Sequence, residues 1–105
     1  MSREKIFEAL KTSGLPVAHC AFPVGKAPKL PWVVFRIDDD TTFFADNKRY
    51  EVQYTWRVDL LEKFADEQTE KKVEDAISTL TKTYTKDETW SNSEGCLMTI
   101  FTFNY

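Results

Sequence analysis

The sequence is poor in the residue types on which most catalytic and metal-binding sites depend. Its 105 residues include one histidine, two cysteines and three glycines. A structural zinc site needs about four nitrogen or sulfur ligands, more than this histidine and these cysteines can supply. The glycines are isolated from one another, which excludes a glycine-rich phosphate-binding loop. We therefore expect no metal, no cofactor and no enzymatic activity.

Long apolar runs and basic clusters are also missing. No run approaches the ~20 apolar residues of a membrane-spanning helix, and the N-terminus lacks the apolar core of a signal peptide. Lys and Arg number 14 against 17 Asp and Glu, whereas nucleic-acid affinity depends on clustered positive charge. These absences argue against membrane and nucleic-acid partners and favour folding inside a cell, where thiols stay reduced. Cys20 and Cys96 are then expected as two buried free thiols, with a disulfide as the alternative.

Two segments have the periodicity of amphipathic helices. The first spans residues 3–13, with Ser2 as a candidate N-cap and Gly14 suited to the position after the last turn. The second lies within residues 65–82, where Asp66 is a candidate N-cap and apolar residues recur every three or four positions. Both are expected to pack one apolar stripe on a sheet.

Predicted β-strands contain most of the aromatic residues. The clearest spans residues 50–60, where apolar and polar side chains alternate, as in an antiparallel strand with one buried face. Further strands are predicted at residues 17–22, 32–37, 83–90 and 96–105. The order α-β-β-β-α-β-β predicts one α+β domain over residues 1–105, with two helices on one face of a mainly antiparallel sheet.

His19 and Cys20 are adjacent, and such pairs can form a thiolate nucleophile. On a strand over residues 17–22 their side chains would point to opposite faces, which prevents a hydrogen bond between them. Both are therefore expected to be structural or surface residues. An apolar pocket containing either one would instead favour a ligand-binding or enzymatic domain.

Two short segments near the middle of the chain are harder to interpret. Phe43 and Phe44 are adjacent, so only one of them can face the core of an extended segment. They precede residues 45–48, which have turn chemistry. The acidic run, residues 38–40, is expected to leave the sheet core because adjacent carboxylates repel one another and need water. The longer segment that begins with this run, DDDTTFFADN, lacks the glycine at position 6 and the glutamate at position 12 of a calcium-binding loop.

Motifs along most of the chain are similar, in the same order, to those of one family of small proteins. The family's short helix, Gly-Leu-Pro-Val turn and strand ending in Phe are similar to EKIFEALKTSGLPVAHCAF. Its Pro-aromatic-aliphatic strand is similar to LPWVVFRI, although Trp32 stands where the family often has Tyr. Its Phe-Ala-Asp-Asn turn and long alternating strand are similar to FFADNKRYEVQYTWRVDLLEK, and a helix similar to EKKVEDAISTL follows.

The chain thus resembles a family of small proteins from long-tailed bacteriophages and prophages, which are similar to tail-terminator, tail-completion and head–tail joining proteins. The resemblance implies a structural protein whose subunits form a ring, most often a hexamer, at the head-proximal end of the tail. Its partners would be its own copies, the tail tube protein and the head connector proteins. It would be assembled in the cytoplasm of the host bacterium and become part of the virion. A different connector or adaptor module, and a small ligand-binding or enzymatic domain, stay open as alternatives.

Two groups of residues are predicted to form contacts in such a ring. A ring needs one patch that differs from the patch it binds, and charge often decides which proteins meet. The subunit interface is predicted at Phe43, Phe44, Asp46, Asn47 and Lys48. The partner contact is predicted at Asp38, Asp39 and Asp40.

Overall fold

The chain folds into two helices and a five-stranded sheet in a computed structural model, which describes residues 2–43 and 53–105. The elements follow the predicted order α-β-β-β-α-β-β, so the α+β class is confirmed. Their bounds are α1 (Ser2–Lys11), β1 (Val17–His19), β2 (Trp32–Phe43), β3 (Gln53–Glu62), α2 (Glu67–Ser78), β4 (Thr85–Ser91) and β5 (Cys96–Asn104).

The sheet has the strand order β1-β2-β3-β5-β4. β1 is parallel to β2, and each of the other neighbouring pairs is antiparallel. The strand predicted over residues 17–22 ends early, at His19. The next residue, Cys20, has a φ of 68°, in the left-handed region, which turns the chain out of the strand. That part of the prediction is therefore wrong.

One face of the sheet carries both helices and the main hydrophobic core. Trp56, Val58 and Leu60 alternate along β3 and are each 2 % exposed or less, as the alternating pattern predicts. Burying one such side chain stabilises the fold by roughly 1.5–3 kcal/mol. The helices contribute Ile6 and Leu10 from α1, and Val73, Ala76 and Ile77 from α2.

The opposite face is covered at one end by a second, smaller core. Trp32, Leu61 and Cys96 are buried there. Phe22 and Leu30, from the loop between β1 and β2, pack against them. The rings of Phe22 and Trp32 meet edge to face, with centroids 5.1 Å apart. β3 is therefore buried on both faces near its end, which its alternating sequence does not predict.

Asp66 caps α2, as predicted. Its backbone is extended, and its Oδ1 accepts a hydrogen bond from the backbone N–H of Gln68 at 3.0 Å. Its Oδ2 accepts a second one from the hydroxyl of Thr69 at 3.1 Å. A carboxylate at this position satisfies a free N–H group and complements the positive end of the helix dipole. The cap therefore defines where the chain enters α2.

Gly14 follows α1 with a φ of 81°, and no atom lies within 4 Å of the position that a Cβ would take. We expect Gly14→Ala to lower the free energy of unfolding by about 1 kcal/mol, because an L side chain is strained in this backbone conformation. Urea denaturation measures the change. Gly14→Asn is the control and should cost less, since asparagine tolerates left-handed angles. An alanine variant as stable as the wild type would contradict this account.

Candidate functional site

The acidic run lies within β2 rather than after it. The strand continues to Phe43, so the predicted end at residue 37 is wrong. Regular pairing is nevertheless interrupted there. From Ile37 to Thr42 the chain advances five positions, while the partners of these residues on β3 advance only two, from 56 to 54. The acidic run therefore occupies a bulge-like irregularity, with Asp38 exposed and Asp39 and Asp40 in the same stretch of strand.

The β2–β3 hairpin continues past the end of β5. Tyr105 and Tyr54 exchange backbone hydrogen bonds of 3.0 and 3.2 Å, and the hairpin pair Phe43 and Gln53 lies beyond them. Phe43 is thus at the end of the paired hairpin. The predicted interface residues that lie outside the described residues are Phe44, Asp46, Asn47 and Lys48. Their role in a subunit interface stays a prediction.

The two outer edges of the sheet carry like charges. β4 forms one edge and is exposed along nearly all of its length, including Asp87 and Glu88. At the other edge, β1 pairs only with residues 33–35 of β2. The acidic run lies further along β2, past the residues that β1 covers. Like charges placed opposite each other destabilise strand pairing. Pairing of these two edges in a register that places the acidic positions opposite each other is therefore disfavoured.

His19 and Cys20 lie closer together than the sequence predicts. The Sγ atom of Cys20 is 3.6 Å from Nε2 and 3.8 Å from Nδ1 of His19, because the chain leaves the strand between them. The expectation that they cannot hydrogen-bond is therefore wrong. Burial, followed by the charge of Arg3, lowers the pKa of His19. The imidazole is consequently neutral at pH 7.

Both cysteines are free, Cys96 buried and Cys20 exposed. The expectation of free thiols is confirmed, while the expectation that both are buried is wrong for Cys20. Burial, with a contribution from the charge of Glu94, raises the pKa of Cys96.

This difference in exposure predicts a difference in thiol reactivity. We expect Cys20 to react with an aromatic disulfide reagent in the native protein, and Cys96 to react at least about a hundredfold more slowly. Cys96 becomes accessible only through local unfolding, and a free energy of ~3 kcal/mol for that unfolding suffices for a hundredfold difference in rate. Absorbance of the released thiolate measures both rates. Cys20→Ser should remove only the fast reaction. Two fast thiols in the native wild type would contradict the burial of Cys96.

A polar network links α2 to β4. The ammonium of Lys86 lies 3.1 Å from carboxylate oxygens of both Glu70 and Glu74. The hydroxyl of Tyr84 donates a hydrogen bond of 2.8 Å to Glu74. Burial alone would raise the pKa of Glu74, but the hydrogen bonds from Tyr84 and Lys86 outweigh it and lower the pKa. The network therefore holds the edge strand against α2 with charged groups.

Glu62, at the end of β3, is a buried carboxyl group without a hydrogen-bond partner. Its side chain is 2 % exposed, and neither carboxyl oxygen has a partner. Burial, and then the negative charge of Glu70, raises its pKa to about 7. The backbone N–H of Asp66 favours the charged form without meeting the geometry of a hydrogen bond. An unpartnered buried carboxyl destabilises a fold, so Glu62 has no evident structural purpose.

Sequence reasoning missed Glu62, although the pattern could have found it. Positions 56, 58 and 60 of β3 face the helices, and residue 62 continues that series. A glutamate at an expected core position is unusual, because charged residues are rarely fully buried unless they are paired. That mismatch is the signal in the sequence.

Glu62 lines a cavity of about 300 Å³ beside the start of α2, which we call the Glu62 cleft. The ring of Phe64, one of its walls, is 76 % exposed. The Lys63 ammonium lies 5.8 Å from the centre of that ring. A carboxylate beside aromatic and aliphatic walls suits an ammonium or guanidinium group. The lining of the cleft includes Leu30, Pro31, Glu62, Lys63, Phe64 and Asp66.

The described part of the chain contains no metal centre. Within residues 2–43 and 53–105, no group of three or more His, Cys, Asp or Glu side chains could hold a metal ion. The two described helices are both too short or too polar to cross a membrane.

No protein-family model matches the chain, and neither does any curated protein.

Proposed function

We propose that this chain is a structural subunit of a long-tailed phage or prophage. It acts as a tail-terminator or tail-completion protein, forms a ring at the head-proximal end of the tail, and joins the tail to the head connector. The order of the motifs in the sequence supports this role. The α-β-β-β-α-β-β order of the fold is compatible with the resemblance, which runs through the same elements.

The observation that carries the proposal is the difference between the two ends of the sheet. At one end the β2–β3 hairpin passes β5 and leads into residues 44–52. At the other end Phe64 and Trp90 are 76 % and 56 % exposed. Exposed aromatic side chains are typical of protein interfaces. A ring requires two different complementary patches on each subunit, and the two ends are candidates for them.

Light scattering after size-exclusion chromatography tests ring formation. We expect a particle several times heavier than one chain, either alone or on addition of tail tubes, and rings or capped tubes by electron microscopy. Deleting the gene from its phage should give tails of uncontrolled length. A chain that stays monomeric at high concentration and never joins tails would overturn the proposal.

A small ligand-binding domain is the second candidate, because cavities lie beside His19 and Cys20. One, of about 320 Å³, is lined by Cys20 and Trp32, and another, of about 290 Å³, by His19 and Phe35. Both volumes are near the lower limit for ligand sites. The two residues line different cavities, so neither cavity combines the thiol of Cys20 with the imidazole of His19. A compound that raises the melting temperature of the wild type, but not of Cys20→Ser, would favour this function.

A further inference from the structure

The Glu62 cleft is suited to a cation that the isolated chain does not supply. Both carboxyl oxygens of Glu62 are buried and unpartnered. Asp66 lines the same cleft, and the carboxylates of Glu70 and Glu88 add to the negative charge that acts on Glu62. Lys63, the basic residue in the wall, lies over the ring of Phe64. A cation bound at Glu62 would satisfy a group that now destabilises the fold.

The walls of the cleft indicate which kind of cation fits. The described residues contain no group of three ligands that could hold a metal ion. Phe64 presents an exposed aromatic ring, which attracts ammonium and guanidinium groups. Leu30 and Pro31 add apolar surface along which the aliphatic part of a lysine or arginine side chain can pack. The cleft thus suits a basic side chain better than a metal ion.

We propose that the Glu62 cleft binds the basic pair Lys48 and Arg49 of a second copy of this chain. The pair lies in residues 44–52, which connect β2 and β3 at the end of the sheet opposite to Glu62. Its positive charge complements the acidic cleft, and Phe43 and Phe44 precede it. This inference rests on the proposed ring-forming function and names the two patches that meet.

Chain length excludes the same contact within one molecule. Glu62 lies nine positions along β3 from Gln53, a distance of about 30 Å at the usual rise of a strand. Lys48 is five residues from the same Gln53, so its backbone reaches at most about 18 Å from the hairpin. The cation must therefore come from another molecule, which we propose is a second copy of this chain. Because the two patches are different, the contact repeats head to tail, as a ring requires.

The test uses a labelled peptide of residues 43–53 and the full chain carrying Lys48→Ser and Arg49→Ser, whose own segment cannot compete for the cleft. Fluorescence anisotropy should show saturable binding. Adding Glu62→Gln to the chain should weaken it roughly tenfold or more, because a desolvated charge pair is lost. Asp75→Asn, the same loss of one charge at an exposed position of α2, should leave binding unchanged. A peptide with both serine substitutions should not bind.

The outcomes separate this inference from the proposed function. The cleft assignment is overturned if the peptide shows no saturable binding. It is also overturned if Glu62→Gln binds the peptide as tightly and the peptide with both serine substitutions still binds. Either result counts even if the wild-type chain forms rings. Rings in the wild type that dissociate in Glu62→Gln support it. A chain that never assembles overturns the ring, whereas peptide binding sensitive to Glu62 would still support the cleft as a site for basic segments.

Discussion

Replacing Phe35 by alanine is expected to lower the free energy of unfolding by about 3–5 kcal/mol. Phe35 lies near the start of β2, is 1 % exposed, and packs between the strands and α1. Its ring centroid is 6.2 Å from that of Trp56 and 6.3 Å from that of Phe7. Removing the ring leaves a cavity that the neighbouring strands cannot close, and it also removes aromatic contacts.

Urea denaturation at constant pH measures this effect. Domains of this size have total stabilities of about 5–15 kcal/mol, so the variant is expected to unfold at a much lower urea concentration. Phe64→Ala is the matched control, because it is the same substitution at a ring that is 76 % exposed. That variant should stay within about 0.5 kcal/mol of the wild type. Equal losses at the two positions would contradict the placement of the core.

β3 and α2 could be predicted from the sequence because local spacing determines their buried faces. Alternation places Trp56, Val58 and Leu60 on one side of the sheet, and Asp66 marks the start of α2 by its capping chemistry. The parallel pairing of β1 and the second core could not be predicted in this way. Both depend on where the loop between β1 and β2 returns to the sheet, and no local pattern encodes that path.

The candidate site was predictable only in part, for the same reason. Repulsion among Asp38, Asp39 and Asp40 predicts an end to the strand, whereas β2 continues through them to Phe43 and only its regular pairing with β3 is interrupted. The proximity of His19 and Cys20 depends on one left-handed residue, which strand periodicity cannot anticipate. Glu62 is conspicuous by its position, yet its missing partner becomes evident only when α2 covers it.

Glu62→Gln is expected to stabilise the chain by up to roughly 3 kcal/mol above pH 7, because a pKa difference of one between the folded and unfolded states corresponds to about 1.4 kcal/mol. In the folded chain, burial and the charge of Glu70 raise the pKa of Glu62 from 4.5 to about 7. Ionising it therefore costs more in the folded state than in the unfolded state. Glutamine has nearly the same shape but no charge, so the variant avoids that cost.

The sign of the pH dependence follows from the direction of the shift. Below about pH 4.5 the carboxyl is protonated in both states, and the substitution should change little. Between 4.5 and 7 the unfolded chain has lost the proton while the folded chain retains it, so wild-type stability falls as the pH rises. Above pH 7 the carboxyl is charged in both states, and the full difference in the free energy of unfolding between Glu62→Gln and the wild type is present. The nearby carboxylates Asp66, Glu70 and Glu88 remain in both proteins.

Urea denaturation of both proteins from pH 4 to pH 8 measures the difference, with Glu8→Gln, at an exposed position of α1, as the control for loss of one charge. The curves of the wild type and Glu8→Gln should run parallel, whereas the curve of Glu62→Gln should separate above pH 4.5. Three parallel curves would show that Glu62 is not buried as described. If the curve of Glu62→Gln does separate, this variant should be more stable than the wild type and yet bind the basic peptide more weakly. A glutamate retained only for stability would not show these opposite effects, whereas a glutamate retained for a contact with another subunit would.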